Sequence, residues 1–201
     1  MNLVIVNGSH RKKSESKKIS RELENIANKV GFSSSSIIDL HDKLDILWDE
    51  NFWVSGSAQS ERRKEMESVL KDADAFILVS PEYGGMASPI MKNFLLTCSP
   101  AETGHKPAVL VGVSAGQGGT YPISEIRSYG FKNNFLCFLP ANIIVRESGS
   151  LFNSGDPVSE NEQRLVNYSE YVLNLLLAYS RALKEVRSSG VINFEDYPYG
   201  F

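Results

Sequence analysis

Residues 75–96, AFILVSPEYGGMASPIMKNFLL, are the most informative segment of this 201-residue chain for its architecture. The segment opens with apolar residues that do not alternate with polar ones, which is typical of a strand covered on both faces of a parallel sheet. Pro81 is expected to end this strand, because proline has no amide hydrogen to give to a β-ladder. A glycine-containing loop follows, and Ser88 and Pro89 then predict the N-cap and first residue of an amphipathic helix.

Strands and helices alternate along the rest of the chain. Further strands are predicted at residues 3–6, 36–40, 108–113 and 135–145, with helices between them. The alternation predicts an α/β fold, a three-layer sandwich in which helices cover both faces of a five-stranded parallel sheet. Right-handed connections favour the strand order 2-1-3-4-5. Pro140 interrupts the last strand, which is therefore expected at an edge of the sheet.

The last helix completes the predicted domain. Ser159 and Glu162 have the spacing of a capping box and predict a helix that runs to about residue 186. We expect residues 1–186 to form one domain and residues 187–201 to form an aromatic C-terminal tail.

Net charge, hydropathy pattern and cysteine content limit the possible partners and the cellular location. The net charge of −3 gives no basic footprint of the kind that nucleic-acid-binding domains carry, so no nucleic-acid partner is expected. The most apolar helical stretch, residues 165–183, is broken by polar residues, and no contact with a membrane is expected. Cys98 and Cys137 lie in apolar surroundings, which is typical of reduced core cysteines and favours a cytoplasmic location.

Three loops are expected to meet at one edge of the sheet. In the predicted order the carboxyl ends of strands one, three and four are neighbours, and residues 8–16, 81–88 and 114–120 follow those ends. Open α/β sheets bind their ligands at the carboxyl ends of the strands. All three loops are rich in glycine and serine, so we expect them to hold one ligand together.

The first loop has the donors that a phosphate monoester needs. It offers hydroxyl groups, the guanidinium of Arg11 and the amides of a helix N-terminus. The glycine spacings of a P-loop and of a dinucleotide fingerprint are both missing. A surface turn with an ordinary serine cap remains an alternative for this loop alone. The nearby lysines are either a solvated helix face or an attraction for an anion: Lys12, Lys13, Lys17 and Lys18.

The other two loops suit a flat heterocycle. The ring of Tyr83 and the backbone amides of residues 82–85 could contact its face and edge. Gly116, Gly118 and Gly119 would let the backbone lie flat against its other side. Each feature has a plainer interpretation, since Tyr83 could fill the core and the glycines could form a tight turn.

Three segments together resemble a known family. GSHRKKS at residues 8–14, DADAFILVSPEYGGMASPIMKN at residues 72–93 and GVSAGQGG at residues 112–119 are similar to motifs of the NAD(P)H-dependent FMN reductases, which are flavodoxin-like proteins. The resemblance covers roughly residues 1–180. It implies tightly bound FMN, hydride transfer from NADPH or NADH, and reduction of a small-molecule acceptor: a quinone, an azo dye, a metal oxyanion or free flavin.

The resemblance also implies which residues bind FMN. Where the family often has asparagine, this chain has Ser16 and Gly84, which leaves affinity and substrate preference at those two positions open. The phosphate would be held by Ser9, Arg11, Ser14 and Ser16. The isoalloxazine would lie along Pro81, Glu82, Tyr83, Gly84 and Gly85, and its far side would be closed by Ser114, Gly116, Gly118 and Gly119.

No side chain is predicted to act as a nucleophile or a metal ligand. The histidines His10, His41 and His105 show no metal-ligand spacing, and the chemistry would belong to the cofactor. Two alternatives to an enzyme remain open. One is a flavodoxin-like electron-transfer protein, against which Arg11 and the modest net charge count, and the other is a flavin-binding sensor without turnover of NAD(P)H.

An irregular segment with several aromatic residues, called the excursion below, predicts self-association. Residues 44–54, LDILWDENFWV, carry large apolar side chains in a segment too irregular for a core element. Such side chains need cover, and tryptophan is enriched at the centres of interfaces. Family members that resemble this chain usually dimerise, so we expect a homodimer or a dimer of dimers. The alternative is that the excursion folds back onto its own sheet.

Overall fold

A computed structural model describes residues 1–154 and 157–198. Residues 155–156 of the loop predicted at 146–157 and residues 199–201 of the tail predicted at 187–201 therefore lie outside the described residues. No helix in the part of the chain that the structure describes is long and apolar enough to span a membrane.

Five parallel strands form the central sheet. Their order is β2-β1-β3-β5-β6, and the two-residue strand β4 pairs antiparallel with the end of β3. Counted without β4, this is the predicted order 2-1-3-4-5, and the flavodoxin-like sandwich is confirmed. The strands are β1 (Asn2–Asn7), β2 (Ser34–Asp39), β3 (Ala75–Tyr83), β4 (Met86–Ala87), β5 (Pro107–Val113) and β6 (Cys137–Val145).

Helices cover both faces of the sheet. Two 3-10 helices, Leu40–Lys43 and Ser148–Ser150, follow β2 and β6. The α-helices are α1 (Glu15–Val30), α2 (Ala58–Asp72), α3 (Pro89–Thr97), the short α4 (Pro100–Thr103), α5 (Thr120–Tyr129) and α6 (Glu160–Ser188).

The core lies in two layers, one on each side of the sheet. Ile5 and Ile77 pack with the apolar faces of α1 and α6, whereas Val4 and Phe76 face α2, α3 and α5. Because β3 is central and covered on both faces, successive residues enter different cores, and all of them are apolar. This explains the uninterrupted hydrophobic run from Ala75.

Pro81 does not end β3, contrary to the prediction. The strand continues to Tyr83, and Pro81 lies opposite Val113 of β5. On the other side, β1 ends at Asn7, which lies opposite Val79. Beyond Val79 the β1 side has no ladder, so the missing amide of Pro81 breaks no hydrogen bond there.

The edge strand and the helix N-cap that were predicted near the end of the chain are both found, but the predicted capping box is not closed. β6 is an edge strand, and its register with β5 shifts between Ala108 and Leu110, next to the segment that contains Pro140. Ser159 caps α6 by accepting a hydrogen bond from the Glu162 amide at 3.1 Å. The Glu162 carboxylate, however, accepts from the amides of Val158 and Phe152, so it fixes the preceding loop instead of closing the box.

The excursion and the tail each have an aromatic side chain packed against the domain. Phe52 is buried, and the guanidinium of Arg63 in α2 lies 5.5 Å from the centre of its ring. Phe194 of the tail stacks on His105, which precedes β5 at the amino edge of the sheet, with ring centroids 5.8 Å apart. The division into a domain at 1–186 and a tail at 187–201 stays a prediction.

Candidate functional site

The three predicted loops meet at the carboxyl edge of the sheet. They surround a cavity of about 210 Å³. Seven of the predicted residues line it, while the predicted glycines and Ser114 lie around it. The lining residues are Ser9, Arg11, Lys13, Ser14, Glu15, Ser16, Pro81, Glu82, Tyr83, Val113, Ala115 and Ser148.

The start of the first loop is held close to β3 and α3. The Gly8 amide donates to the Val79 carbonyl at 2.8 Å, and the Gly8 carbonyl accepts from the hydroxyl of Ser88, the N-cap of α3. A Cβ atom at Gly8 would come within 2.7 Å of the Met91 side chain. Glycine is therefore needed here for close approach to the helix and not for an unusual backbone angle.

Ser9 joins the first loop to the second. Its side chain is fully buried, and its Oγ shares a hydrogen bond of 3.0 Å with the Tyr83 hydroxyl. The same Oγ accepts from the Arg11 amide at 3.2 Å. The Ser9 hydroxyl thus sets the distance between two loops, and the Tyr83 ring is held by its hydroxyl at the cavity wall.

The N-terminus of α1 faces the cavity. Ser14 is the N-cap, and its Oγ accepts from the Lys17 amide at 3.1 Å. Helix geometry leaves the Glu15 and Ser16 amides without a helical acceptor, and they add to the positive end of the helix dipole. Ser16 is buried at the cavity wall. These groups form the kind of donor set that binds an anion.

Charge at this end of the molecule is positive. Arg11, Lys12 and Lys13 are exposed, and none of them pairs with a carboxylate within residues 1–154 and 157–198. Lys17 lies 2.6 Å from Asp39, and Lys18 lies 2.5 Å from Glu15. Of the two interpretations of the lysine cluster, the local arrangement favours attraction of an anion toward the cavity.

The second loop is a tight hairpin. Gly84 and Gly85 have φ angles of +59° and +76° and connect β3 to β4. The Ala87 amide donates to Glu125 of α5 at 2.6 Å, which fastens the hairpin to that helix. Burial alone raises the pKa of Glu125, but hydrogen bonds from Lys92 and from the Ala87 amide outweigh it, and the pKa is lowered overall.

Glu82 fastens the third loop. Its Oε2 accepts a hydrogen bond of 2.5 Å from the Gly119 amide, at the start of α5. A Cβ atom at Gly118 would lie 2.5 Å from the Glu82 carboxylate. One oxygen of the Glu82 carboxylate is therefore engaged by the third loop.

The third loop also lies against β5 and the end of β6. A Cβ atom at Gly112 would overlap the carbonyl oxygen of Gly119, so residue 112 must be glycine for the loop to lie flat. The amide of Ser148 donates to the Ser114 carbonyl at 3.1 Å, and Arg146 Nε donates to the Gly118 carbonyl at 3.2 Å.

Sequence reasoning missed several of these residues. Gly112 lies in the strand predicted at residues 108–113, Arg146 begins the loop predicted after the last strand, and Asp39 lies in the strand predicted at residues 36–40, so none of the three was assigned to the site. Asp39 accepts a hydrogen bond of 3.0 Å from Asn7 and lies beside Lys17. A signal was present, since Asn7 and Asp39 are polar residues at the carboxyl ends of adjacent apolar strands.

Comparisons with known proteins agree with this fold. An NADPH azoreductase from Bacillus sp. (strain OY1-2) is 24% identical over 192 residues, which cover 93% of this chain and 97% of that protein. The flavoenzyme NAD(P)H:(acceptor) oxidoreductase FerB from Paracoccus denitrificans superposes with a TM-score of 0.69 at 16% identity, over 92% of this chain and 97% of that one. An oxidoreductase from Corynebacterium diphtheriae gives 0.68 at 11% identity, over 90% and 97%.

The two structural likenesses are too distant in sequence to show more than the fold. The family comparison is stronger, because it matches residues 1–147 to the family described as NADPH-dependent FMN reductase. That match spans well over half of the chain and contains all three loops. This protein therefore belongs to the NADPH-dependent FMN reductase family.

Proposed function

We propose that this protein holds FMN at the three loops and uses it to pass hydride from NADPH or NADH to a small-molecule electron acceptor. Family membership makes the protein an oxidoreductase with FMN and NAD(P)H as its cofactors. The position of FMN, the residues that hold it and the acceptor are the proposed parts.

One observation carries the proposed position. A helix N-terminus, four serines and an arginine that pairs with no carboxylate among the described residues line one cavity of about 210 Å³, and a tyrosine ring stands at its wall. This donor set fits the phosphate dianion of FMN, because charge-assisted hydrogen bonds are the strong ones. The cavity has room for a phosphate and part of a polyol chain, while a flat ring would rest over the loops outside it.

The proposed role of each residue follows from the hydrogen-bonding atoms that it still has available for a ligand. Arg11, Ser14, Ser16 and the first amides of α1 would hold the phosphate. Ser9 would act mainly by spacing the loops, because its hydroxyl is engaged by Tyr83 and Arg11. The isoalloxazine would contact the backbone of Pro81, Glu82, Gly84 and Gly85, the ring of Tyr83, and the loop that contains Ser114, Gly116, Gly118 and Gly119.

When bound, FMN supplies the hydride chemistry, and the protein orients it and excludes competing reactions. We propose a quinone, an azo compound, a metal oxyanion or free flavin as the acceptor. The azoreductase similarity supports the azo class in particular.

Rapid mixing of the FMN-loaded protein with NADPH, without oxygen, tests the function. We expect the flavin absorbance to bleach and to recover when an azo dye or a quinone is added. Mass spectrometry of the extracted chromophore should give FMN. Bleaching by dithionite but by neither NADPH nor NADH would contradict the proposal and would indicate an electron-transfer or sensor protein.

We also propose that the protein forms a homodimer through the excursion and α3. Asn93 of α3 makes two hydrogen bonds to the excursion. Its Oδ1 accepts from the Trp48 amide at 2.8 Å, and its Nδ2 donates to the Ile46 carbonyl at 2.8 Å. The two segments thus form one continuous surface. Its apolar side chains stay 47 to 57% exposed at Leu47, Trp48, Trp53, Val54 and Leu96, which supports a partner there. Assembly of two such dimers is an extension of the same proposal.

A cytoplasmic location is proposed on the cysteines. Cys98 and Cys137 are both free thiols, and burial raises the pKa of each one above its ordinary value. Inert, reduced cysteines are typical of proteins that work in a reducing compartment.

A further inference from the structure

A histidine from outside the three loops holds the middle of the first loop. Nδ1 of His41 lies 2.8 Å from the carbonyl oxygen of His10. A carbonyl oxygen only accepts, so Nδ1 of His41 carries the proton and donates. His41 is half-buried in the 3-10 helix Leu40–Lys43, directly after β2. The contact therefore connects the end of the second strand to the loop that leads into α1.

His10 is one of four consecutive residues, 8 to 11, whose backbone or side chain is hydrogen-bonded to the rest of the fold or within the loop. Gly8 is bonded to β3 and to the N-cap of α3, and Ser9 is bonded to Tyr83. Arg11 comes next, and its exposed side chain pairs with no carboxylate among the described residues. The peptide between His10 and Arg11 is thus held on both sides, its carbonyl by His41 and its amide by Ser9 Oγ at 3.2 Å, directly before the guanidinium that is proposed to meet the phosphate.

His41 is itself firmly held. The Asp39 carboxylate accepts from the His41 amide at 3.2 Å and from the Asn7 side chain at 3.0 Å. The other oxygen of Asp39 lies 2.6 Å from Lys17 Nζ. Asp39 thereby links β1, β2 and the first turn of α1, and the His41 ring projects from a rigid base.

We propose that His41 is a positioning residue for phosphate recognition. Its Nδ1–H fixes the peptide that precedes Arg11, so that the guanidinium is presented to the cavity at low entropic cost. The inference rests on the proposed phosphate site and extends it to a residue that none of the three loop motifs contains. Because His41 acts through Arg11, it acts on the phosphate and not on the flavin ring.

Paired titrations with FMN and riboflavin test this, because riboflavin has the same ring and polyol but no phosphate. His41→Ala should weaken FMN binding by about 3- to 10-fold, the worth of one hydrogen bond. It should leave riboflavin binding within about twofold. His41→Asn carries its amide nitrogen on Cγ, where Nδ1 is attached, and should restore FMN affinity, whereas His41→Gln should not. Asp42→Asn, an exposed neighbour in the same 3-10 helix, is the control.

A double-mutant cycle with Arg11→Ala completes the test. In that background His41→Ala should change FMN affinity by less than about twofold, since contacting or coupled residues are not additive. Equal losses for FMN and riboflavin, or full additivity with Arg11→Ala, would overturn the inference and leave His41 a merely structural role. If Arg11→Ala itself leaves the preference for FMN over riboflavin unchanged, the proposed phosphate site is wrong as well. The two failures are therefore distinguishable.

Discussion

Arg11 is the residue on which the proposed phosphate site most directly depends. Arg11→Ala should weaken FMN binding by about 10- to 100-fold, because a charge-assisted hydrogen bond is worth roughly 1.5–3 kcal/mol. The side chain is exposed and outside the core, so the melting temperature of the flavin-free protein should not change. Fluorescence titration measures the affinity, and Lys12→Ala, one residue further on, is the matched control. Equal affinities for the two variants would place the phosphate elsewhere.

Gly112 is a second residue whose effect is sharply defined. Gly112→Ala should lower the free energy of unfolding by about 1–3 kcal/mol or more, because the new methyl group would displace the Gly119 backbone. It should also weaken flavin binding, since the third loop must move. Gly149→Ala meets nothing within 4 Å and should stay within about 0.5 kcal/mol of the wild type. Urea unfolding compares the two, and similar midpoints would contradict the argument.

Interactions between neighbouring residues could be predicted from the sequence, whereas those between distant residues could not. Ser88 and Pro89 start α3 as predicted, because a cap and its first turn are decided by adjacent residues. The bond between Glu82 and Gly119 spans 37 positions, and no pattern along the chain encodes it. Ser9 was predicted to bind phosphate, and nothing along the chain showed that its hydroxyl already has a partner in Tyr83.

Between elements, a buried ion pair holds the excursion to α2 and α4. Arg63 and Glu102 are both buried and paired, and the guanidinium also lies 5.2 Å from the centre of the Trp53 ring. Arg63→Ala should cost roughly 3–5 kcal/mol, because it leaves the Glu102 charge buried without a partner. Both tryptophans lie in the excursion, so their fluorescence reports its release.

The neighbouring position supplies the control for that variant. Arg62 is half exposed, and its Nε lies 3.7 Å from Asp45. Arg62→Ala should therefore cost less than about 0.5 kcal/mol. If urea denaturation gives the same loss for the two arginines, the buried pair does not hold the excursion.

A buried lysine links β5 to the end of α2 and makes stability depend on pH. Lys106 Nζ donates to the carbonyls of Leu70 and Lys71 at 2.8 Å each. Burial, and then the nearby charge of Arg187, lowers the pKa of Lys106 from 10.5 to about 8. Below pH 8 both the folded and the unfolded chain carry the proton, and the cost of burying the charge is fully present. Above pH 10.5 neither carries it.

Between those limits the unfolded chain binds more protons, so this group makes folding more favourable as the pH rises. The full change is roughly 3 kcal/mol. Lys106→Met lacks the effect, and the stability of the wild type relative to this variant should increase between pH 8 and pH 10. Urea unfolding of both proteins at several pH values measures the difference. Parallel curves would show that the pKa of Lys106 is not lowered.

For the molecule as a whole, the fold could be predicted from the sequence, whereas the proposed homodimer has still to be tested. The alternation of strands and helices decided the layers and the strand order, because each sheet face must be buried. The two-residue β4 escaped prediction, since a hairpin that short has no periodicity. Pro81 led to a wrong prediction of where β3 ends. Whether a proline breaks a strand here depends on where the neighbouring strand β1 ends, and only the tertiary structure shows that.

The proposed dimer predicts one measurable assembly. Sedimentation at micromolar concentration should give twice the monomer mass. Leu47→Lys and Trp48→Ala should each weaken association by more than about tenfold if they lie at its centre. Val191→Lys changes another exposed apolar residue, at the amino edge of the sheet, and should have no effect. A monomer with full activity would contradict the proposed dimer, and a dimer that none of these substitutions weakens would mean that its interface lies elsewhere.

The hydrogen bonds between the loops, from Ser9 to Tyr83 and from Glu82 to Gly119, have a kinetic consequence. They order the loops while the chain folds, so little conformational freedom is left to lose when a ligand arrives. Capture then depends on diffusion and orientation, and a broken cross-loop bond shortens the residence time of the bound molecule far more than it delays its arrival. If FMN binds at the three loops as proposed, the same bonds that join three strand ends set its residence time.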